Sequence, residues 1–157
     1  MHLDFVWVNS DNVASVSDAK TLFEEYQLEL GIDLCFQGFQ EELAKLPGKY
    51  GPPGGALLLV YEGDLPVACG AIRDLGDGYA ELKRLYVRPA YRGVGLGKRI
   101  THALQDRARA FGYLILRLDT LRRLEPALTM YKSLGFEETA PYNENPEEDI
   151  VYLQQAL

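Results

Sequence analysis

The order of elements in the sequence predicts an α+β fold with a mixed central sheet flanked by helices. Three strand-like stretches separated by tight turns across residues 56–87 indicate an antiparallel meander. A helix, a strand, a further helix and a final hairpin follow, and a strand that returns after a helix pairs in parallel. The chain has 157 residues, the size of one ordinary domain, so we expect a single domain over residues 1–157.

Hydrophobic spacing and turn residues predict two helices in the first third of the chain, after an opening strand of β-branched and aromatic residues. Gly31 follows the last apolar position of the first helix and predicts its end, and Ser17 or Asp18 is expected to cap its start. The stretch after the second helix is rich in proline and glycine and predicts a loop. The predicted elements are a strand at 3–8, helices at 19–30 and 36–46, and a loop at 47–55.

The central and C-terminal parts of the chain alternate between strand and helix. Glu62–Asp64 and Gly76–Gly78 are turn sequences that separate the three strands of the meander, and Pro89 ends the third strand. An apolar stripe at helical spacing, closed by Gly112, predicts the helix that follows. The predicted elements are strands at 56–61, 65–72 and 79–87, a helix at 96–111, a strand at 113–118, a helix at 125–134, and strands at 136–140 and 149–153.

Composition excludes several classes of protein. The longest purely apolar run, Ala56–Tyr61, is far shorter than the roughly 18 residues that cross a bilayer, so no membrane segment is expected. The first residues lack the basic and apolar regions of a signal peptide, which indicates a cytoplasmic protein. Two histidines and two cysteines without close spacing match no zinc pattern, so we predict no metal. Cys35 and Cys69 are expected to be buried, reduced thiols.

The charge of the chain is unevenly distributed. The formal net charge of −7 argues against a nucleic-acid-binding protein, because neutralising phosphates requires a basic face. The segment Lys83–Arg123 nevertheless contains eleven Lys or Arg and only two acidic residues, Asp106 and Asp119. This excess predicts a segment that meets anions. A solvated helix face is the alternative, and it is favoured for Arg107 and Arg109.

The glycine-rich segment Arg92–Lys98, with the sequence Arg-Gly-Val-Gly-Leu-Gly-Lys, lies between the meander and the helix that follows. Glycines let consecutive backbone amides approach an anion, and a helix N-terminus adds partial positive charge, so the segment predicts a phosphate site. An ordinary loop or helix start is the alternative. Neither common phosphate motif fits: Arg92 and Arg99 replace the Gly and Ser/Thr of a P-loop, and Lys98 replaces the third glycine of a dinucleotide fingerprint.

The residues that do form a pattern are Arg92, Gly95 and Gly97, spaced as Arg-x-x-Gly-x-Gly, with Leu85–Pro89 directly before them. In this pattern the sequence resembles the GNAT superfamily of acetyl-CoA-dependent N-acetyltransferases, from about Ala56 onward. The resemblance implies that the turn holds the pyrophosphate of coenzyme A through backbone amides. It also implies that the preceding strand splays from its neighbour and pairs with the pantetheine arm. The cofactor-binding residues implied in this way are Leu85, Val87, Arg92, Gly93, Val94, Gly95, Gly97 and Lys98.

The same resemblance implies two catalytic residues. Ala127–Phe136 is similar to the family's late helix, and Tyr131 stands where many members have a tyrosine that protonates the departing coenzyme A sulfur. A phenol with an ordinary pKa near 10 is a reasonable donor, and packing in the core is the alternative. Glu81 stands where some members keep a catalytic base, and burial is expected to raise its pKa toward the working pH. An exposed or salt-bridged glutamate beside Lys83 and Arg84 is the alternative.

Two features of the sequence limit which site residues can be inferred from the resemblance. Leu124 stands three residues before Ala127, where many members have an asparagine that contacts the cofactor, so that contact is not expected here. Simple strand alternation puts Leu85 and Val87 on the same face as Glu81. A bulge in this strand would change which side chains face the cleft.

The acceptor site is the least defined part of the sequence. By resemblance it is built from the first two helices, the linking segment Gly31–Gly38 and the last hairpin near Pro141–Asn143. The acidic excess outside the basic segment would suit a cationic amine, with a solvated acidic loop as the alternative. The side chains expected to line this site are Tyr26, Phe36, Gln37, Arg122, Tyr142 and Asn143, each with a core, capping or turn role as its alternative.

These observations and the resemblance together predict an N-acetyltransferase that acts on a primary amine of a small molecule. The amine attacks acetyl-CoA directly, Glu81 takes the amine proton, alone or through water, and Tyr131 protonates the sulfur. The alternatives are a non-catalytic acyl-CoA-binding sensor with the same fold and a protein-lysine acetyltransferase. Nucleic acid and membrane are not expected as partners, and a homodimer is left open.

Overall fold

The computed structural model describes residues 2–31 and 38–157. The elements are β1 (Asp4–Trp7), α1 (Val13–Leu30), α2 (Phe39–Ala44), β2 (Ala56–Glu62), β3 (Leu65–Gly76), β4 (Tyr79–Val87), α3 (Leu96–Ala110), β5 (Ile115–Leu121), α4 (Glu125–Ser133), β6 (Glu137–Thr139) and β7 (Ile150–Ala156). The strands form a seven-stranded sheet in the order β1-β2-β3-β4-β5-β7-β6. Neighbouring strands are antiparallel except β4 and β5, which are parallel. The predicted α+β fold with a mixed sheet is therefore confirmed.

Local capping explains where the first helix differs from its predicted bounds. α1 begins at Val13, six positions before the predicted start at Ala19, because the Asn12 side chain accepts a hydrogen bond from the Ser15 amide. The predicted end is confirmed, since Gly31 has a φ of 71° in the left-handed region. None of the helices in the described part of the chain is long and apolar enough to cross a membrane.

The other predicted elements lie close to the observed ones. The second helix covers Phe39–Ala44, and its predicted first residue, Phe36, lies outside the described residues. β4 and the start of α3 have the predicted bounds. β3 runs on to Gly76, past its predicted end at 72, because its last residues pair with the start of β4.

Helices cover both faces of the sheet. Leu58 of β2 packs in a cluster with α3, whereas its neighbour Leu57 packs in a cluster with α1 and α2. Both faces of β2 are buried, so its sequence is a continuous apolar run rather than an alternating pattern. Close packing against α3 also requires Gly70, because a Cβ there would lie 2.8 Å from Ile100 Cγ2.

β4 separates from β5 part-way along its length. The two strands pair only where Tyr79–Glu81 meets Ile115–Arg117, although β4 continues to Val87 and β5 to Leu121. β3 pairs with β4 as far as Val87. Among the described residues, no strand pairs with this edge of β4 beyond Glu81, which is the splay that the resemblance implied.

A β-bulge lies in the open part of β4. The pairing of β3 with β4 shifts register between Cys69 and Ala71, so that Arg84 and Leu85 both stand opposite Gly70. Arg84 has a φ of 60°, a left-handed conformation that arginine rarely adopts. An interaction must therefore stabilise Arg84 in this conformation.

The bulge changes the faces of the residues that follow it. Leu82 lies in the cluster with α3, and Leu85 and Val87 pack against the same cluster, while Tyr86 lies in the cluster with α1 and α2. The alternation that would put Leu85 and Val87 on the face of Glu81 is therefore wrong. The extra residue of the bulge reverses the direction of the side chains that come after it.

A buried ion pair holds Arg84 in its left-handed conformation. The Glu42 carboxylate accepts hydrogen bonds from Arg84 Nε at 2.8 Å and Nη2 at 2.9 Å, and the two side chains are only 2% and 3% exposed. Tyr50 donates to the same carboxylate at 2.9 Å. The Cys69 thiol donates to the Arg84 carbonyl oxygen at 3.2 Å, which satisfies the backbone at the bulge. Burial raises the pKa of Glu42. The hydrogen bonds and charge of Arg84, and then the charge of Lys49 and the hydrogen bond from Tyr50, lower it by more, so the pKa lies below its ordinary value.

Replacing Glu42 measures the importance of this pair. We expect Glu42→Ala to lower the free energy of unfolding by about 3–5 kcal/mol, because it leaves the buried Arg84 charge without a partner. Glu41→Ala is the matched control: its exposed pair with Lys45 is screened by water, so a far smaller loss is expected. Urea unfolding at neutral pH measures both losses, and equal losses would contradict the role of the buried pair.

The same pair produces a pH dependence of known sign. Because the pKa of Glu42 is lower in the folded chain than its ordinary value, the unfolded chain binds more protons between the two values. The stability that Glu42 contributes is therefore full above its ordinary pKa and is lost as the pH falls toward the folded pKa. The difference in unfolding free energy between the native chain and Glu42→Gln should shrink through that acidic window.

Candidate functional site

A cleft of about 700 Å³ runs along the open edge of β4, between α1 and α4. Leu85 and Val87 line it from the strand, and Met130 lines it from α4. A smaller cavity of about 100 Å³, which we call the inner cavity, adjoins the cleft and shares Tyr26 and Leu124 with it. Residues of both β4 and β5 line the inner cavity, so it lies where the two strands separate.

Seven of the eight predicted cofactor-binding residues line the cleft. The exception is Val94, which is 57% exposed and is not among the described lining residues. The seven are Leu85, Val87, Arg92, Gly93, Gly95, Gly97 and Lys98. The glycine-rich turn and the open edge of β4 are therefore parts of one continuous surface.

The backbone of the turn has the geometry of an anion site. Gly93 has a φ of 85° and Gly95 a φ of 79°, conformations that strain any residue with a Cβ. Gly95 precedes α3, and no side chain of the described residues caps the first turn of this helix. The first amides of an uncapped helix are available to an anion, and the helix dipole favours negative charge there.

Arg92 holds the turn in place as well as lining the cleft. Its Nε donates to the Val87 carbonyl oxygen at 2.8 Å, and its Nη2 donates to Glu29 Oε2 at 2.6 Å. These bonds connect the turn to the end of β4 and to α1. Glu29 is absent from the predicted site, because nothing local in the sequence relates it to an arginine 63 residues away.

Tyr131 has one side in the core and lines the inner cavity as well. Its ring meets Phe136 edge to face, with 5.7 Å between the ring centroids, and it belongs to the cluster with α3. The residue also lines the inner cavity. Burial, and then the neighbouring Tyr26 and the charge of Asp119, raise the pKa of Tyr131 well above its ordinary value, so the phenol stays protonated.

Glu81 is held in a network of charged and polar groups. It is 1% exposed, and its carboxylate accepts hydrogen bonds from Arg73 Nε at 2.9 Å and from the Tyr142 hydroxyl at 2.6 Å. Lys83 Nζ lies 3.8 Å from the same carboxylate. Burial raises the pKa of Glu81, but Lys83, Tyr142 and Arg73 outweigh it and leave the pKa lowered. The predicted rise in its pKa is therefore wrong, and Glu81 is not among the described residues that line either cavity.

Three charged residues of the inner cavity are absent from the predicted site: Lys83 and Arg84 of β4, and Asp119 of β5. Burial, and then the charge of Arg84, lower the pKa of Lys83 to about 8. Asp119 accepts a hydrogen bond from Asn143 Nδ2 at 3.1 Å. The sequence carries one signal for Asp119, since it is one of two acidic residues in the basic segment 83–123. Within the described ranges, no group of His, Cys, Asp and Glu side chains is placed to hold a metal ion.

The side chains expected at the acceptor site do not all lie together in the structure. Three of them line a cavity or bond to the charged residues near it: Tyr26, Tyr142 and Asn143. Arg122 instead pairs with the exposed Glu138 at 2.8 Å. Three residues named from the sequence lie outside the described residues: Cys35, Phe36 and Gln37. Leu124 lines both cavities without a polar side-chain atom, so it does not provide the contact that the resemblance assigns to an asparagine at this position.

Comparison with known sequences identifies the family. The sequence model of the "Acetyltransferase (GNAT) family" matches residues 19–136, well over half of the chain. The chain belongs to the GNAT family. It is also 42% identical over 141 residues to an uncharacterised N-acetyltransferase of Schizosaccharomyces pombe, and the match covers 88% of this chain and 86% of that protein. As a GNAT member, the chain is an N-acetyltransferase that depends on acetyl-CoA.

Solved structures confirm the GNAT fold. An acetyltransferase from Streptococcus agalactiae superposes with a TM-score of 0.82 at 21% identity, over 99% of this chain and 98% of that one. The structure of YncA from Salmonella typhimurium, described as an acetyltransferase with its cofactor acetyl-CoA, superposes with a TM-score of 0.69 at 18% identity. That match covers 99% of this chain and 94% of YncA.

Proposed function

We propose that this GNAT enzyme transfers the acetyl group of acetyl-CoA to a primary amine of a small molecule by direct attack. The observation that carries the proposal is that the cleft beside the glycine-rich turn adjoins the inner cavity, which Tyr131 and Asp119 line. Residues of α1, β4, β5 and α4 all contribute walls to the inner cavity. Walls on several sides favour a small acceptor over an extended polypeptide.

The cleft has three features that suit coenzyme A. The uncapped first turn of α3 suits the diphosphate, and Lys98 lies beside it. Leu85 and Val87 lie on the edge of β4 that no strand of the described residues covers beyond Glu81, which suits the pantetheine arm. The volume of about 700 Å³ is typical of a small-molecule site. When bound, acetyl-CoA supplies the acetyl group as an activated thioester.

Transfer forms one bond and breaks another. The amine nitrogen attacks the acetyl carbon, so a C–N bond forms, and the C–S bond breaks with its electron pair leaving on sulfur. An acceptor that arrives as an ammonium ion loses two protons, of which one ends on the sulfur and the other passes to solvent. The enzyme must therefore place one proton donor and one proton acceptor near the reacting atoms.

Tyr131 is the proton donor in this proposal. Its phenol lines the inner cavity and remains protonated because burial raises its pKa. The same burial would raise the pKa of a thiol in the cavity, so the difference between the two acids, which governs proton transfer, changes little. The raised pKa of Tyr131 is therefore compatible with donation to sulfur.

Glu81 has a positioning role in this proposal rather than the role of base. Both of its carboxylate oxygens accept hydrogen bonds, one from Arg73 and the other from Tyr142. Its lowered pKa makes it a weaker base than an ordinary glutamate. We assign to Glu81 the role of holding Lys83 and Tyr142 in place. Another residue must then act as the proton acceptor.

Two measurements test the function. Acetyl-CoA at about 100 times its Kd should add roughly 2.7 kcal/mol to the unfolding free energy, seen as a shift in thermal unfolding that ATP and NAD do not produce. Release of free thiol should then depend on an added primary amine. Stabilisation without thiol release for any amine would favour the sensor that binds acyl-CoA and does not transfer it. Absence of stabilisation would contradict the cofactor assignment.

A methyl group added at Gly97 should weaken the binding of acetyl-CoA without destabilising the fold. A Cβ there would make an ordinary contact with Met130 Sδ at 3.5 Å, and alanine is the better helix former by about 1 kcal/mol, so Gly97→Ala should fold at least as stably. The methyl group would stand in the cleft, so we expect the Kd of acetyl-CoA to rise by about tenfold or more. Val94→Ala, in the same turn but outside the lining, is the matched control. Unchanged affinity of Gly97→Ala for acetyl-CoA would mean that the diphosphate binds elsewhere.

Removing the Tyr131 hydroxyl should affect turnover alone. Tyr131→Phe keeps the ring that packs on Phe136, so the fold and the Kd of acetyl-CoA should change little. Loss of the proton donor should lower kcat by about tenfold to a thousandfold. Tyr113→Phe is the control, since its hydroxyl donates to the Gly54 carbonyl at 2.6 Å and Tyr113 does not line either cavity. A Tyr131→Phe variant with native kcat would remove this role.

A further inference from the structure

We infer that Asp119 is the residue that contacts the acceptor amine, binding its ammonium group and taking its first proton. The inference rests on the proposed function and gives Asp119 the task that the sequence predicts for Glu81. It also narrows the acceptor to amines that carry a positive charge at neutral pH, such as aliphatic amines. Weakly basic amines that stay neutral in solution would not need this carboxylate.

The position of Asp119 is the first ground for the inference. β5 pairs with β4 as far as Arg117, so Asp119 lies just beyond the point where the strands separate. It lines the inner cavity together with Tyr131. Among the described residues that line this cavity, Asp119 is the one carboxylate. The proposed donor and the proposed acceptor of protons therefore share a single small space.

The hydrogen bonds of Asp119 are the second ground. Its Oδ2 accepts from Asn143 Nδ2 at 3.1 Å, and Asn143 Oδ1 accepts from the Tyr152 hydroxyl at 2.9 Å. An amide that donates through nitrogen and accepts through oxygen has only one orientation, so this chain of bonds fixes the carboxylate. Within residues 2–31 and 38–157, Oδ1 of Asp119 accepts no hydrogen bond. One oxygen of an oriented carboxylate is thus left to meet an ammonium group.

The surrounding charges are the third ground. Lys83 lines the same cavity and would repel a cation, but Glu81 lies 3.8 Å from its Nζ and offsets part of that charge, because the same carboxylate also pairs with Arg73. The Glu42 carboxylate likewise neutralises Arg84, which also lines the cavity. These two carboxylates reduce the repulsion between the cations and an incoming ammonium group, and Asp119 attracts that group from within the cavity lining. Its proton acceptance also completes the balance of the reaction, since the first proton of the ammonium group passes through Asp119 to solvent.

Asp119→Asn tests the inference with two acceptors of similar shape. Ethylamine is an ammonium ion at neutral pH, whereas trifluoroethylamine is mostly uncharged. Thiol release should show that kcat/KM for ethylamine falls by about 100-fold or more, with a rise in KM, because the variant keeps the shape and loses the charge. For trifluoroethylamine the fall should be less than about fivefold, and the Kd of acetyl-CoA should stay within about twofold of the native value. Asp106→Asn, the other acidic residue of the basic segment, is the control and should change none of these values.

The outcomes separate the inference from the proposed function. If kcat/KM falls equally for both amines, or falls for neither, the role of Asp119 is overturned. Activity of the native chain would in that case still support the proposed function. A native chain that is stabilised by acetyl-CoA but releases thiol with no primary amine, these two included, would overturn the function itself. If Asp119→Asn fails to fold, Asn143→Ala replaces it, because it keeps the carboxylate and removes the bond that orients it. The preference for ethylamine over trifluoroethylamine should then fall by about tenfold, and an unchanged preference would overturn the inference.

Discussion

The bulge at Arg84 is the constraint on which the rest of the site depends. β4 must stay paired with β3 while it leaves β5, and the extra residue reverses its side chains so that Leu85 and Val87 face the cleft. That geometry needs a left-handed arginine, which the buried Glu42 stabilises. Because Glu42 belongs to α2, the shape of the cleft depends on a helix that is not among the described residues lining it.

Internal pairing accounts for much of the basic segment. Arg88 and Arg92 each pair with a glutamate of α1, and Arg107 lies over the ring of Trp7 at 4.0 Å from its centroid. The expectation of a solvated face is therefore wrong for Arg107, while Arg109 does lie on an exposed part of α3. Much of the excess positive charge thus makes internal contacts that hold elements of the fold together, rather than forming a surface for anions. Backbone amides and Lys98 remain beside the cleft as the groups that suit a phosphate.

Local signals made most of the fold predictable. The bounds of β4, the start of α3 and the left-handed Gly31 all follow from residues within a few positions of each other. The lining of the cleft was predictable where it is local, as in the glycine-rich turn, and contacts between residues distant in the sequence were not. Nothing near Glu81 in the sequence indicates Tyr142, which lies 61 residues away and helps to lower its pKa. The position of Asp119 in the inner cavity likewise depends on where two strands part.

α1 connects the two halves of the site. Glu29 near its end bonds to Arg92 of the glycine-rich turn, while Tyr26 and Leu30, on the same helix, line both the cleft and the inner cavity. A helix moves largely as a unit, so under the proposed function a displacement of α1 that admits one substrate also alters a wall of the site proposed for the other. Such a shared wall makes the two binding free energies interdependent, and thermodynamic reciprocity requires each substrate to change the affinity of the other by the same factor.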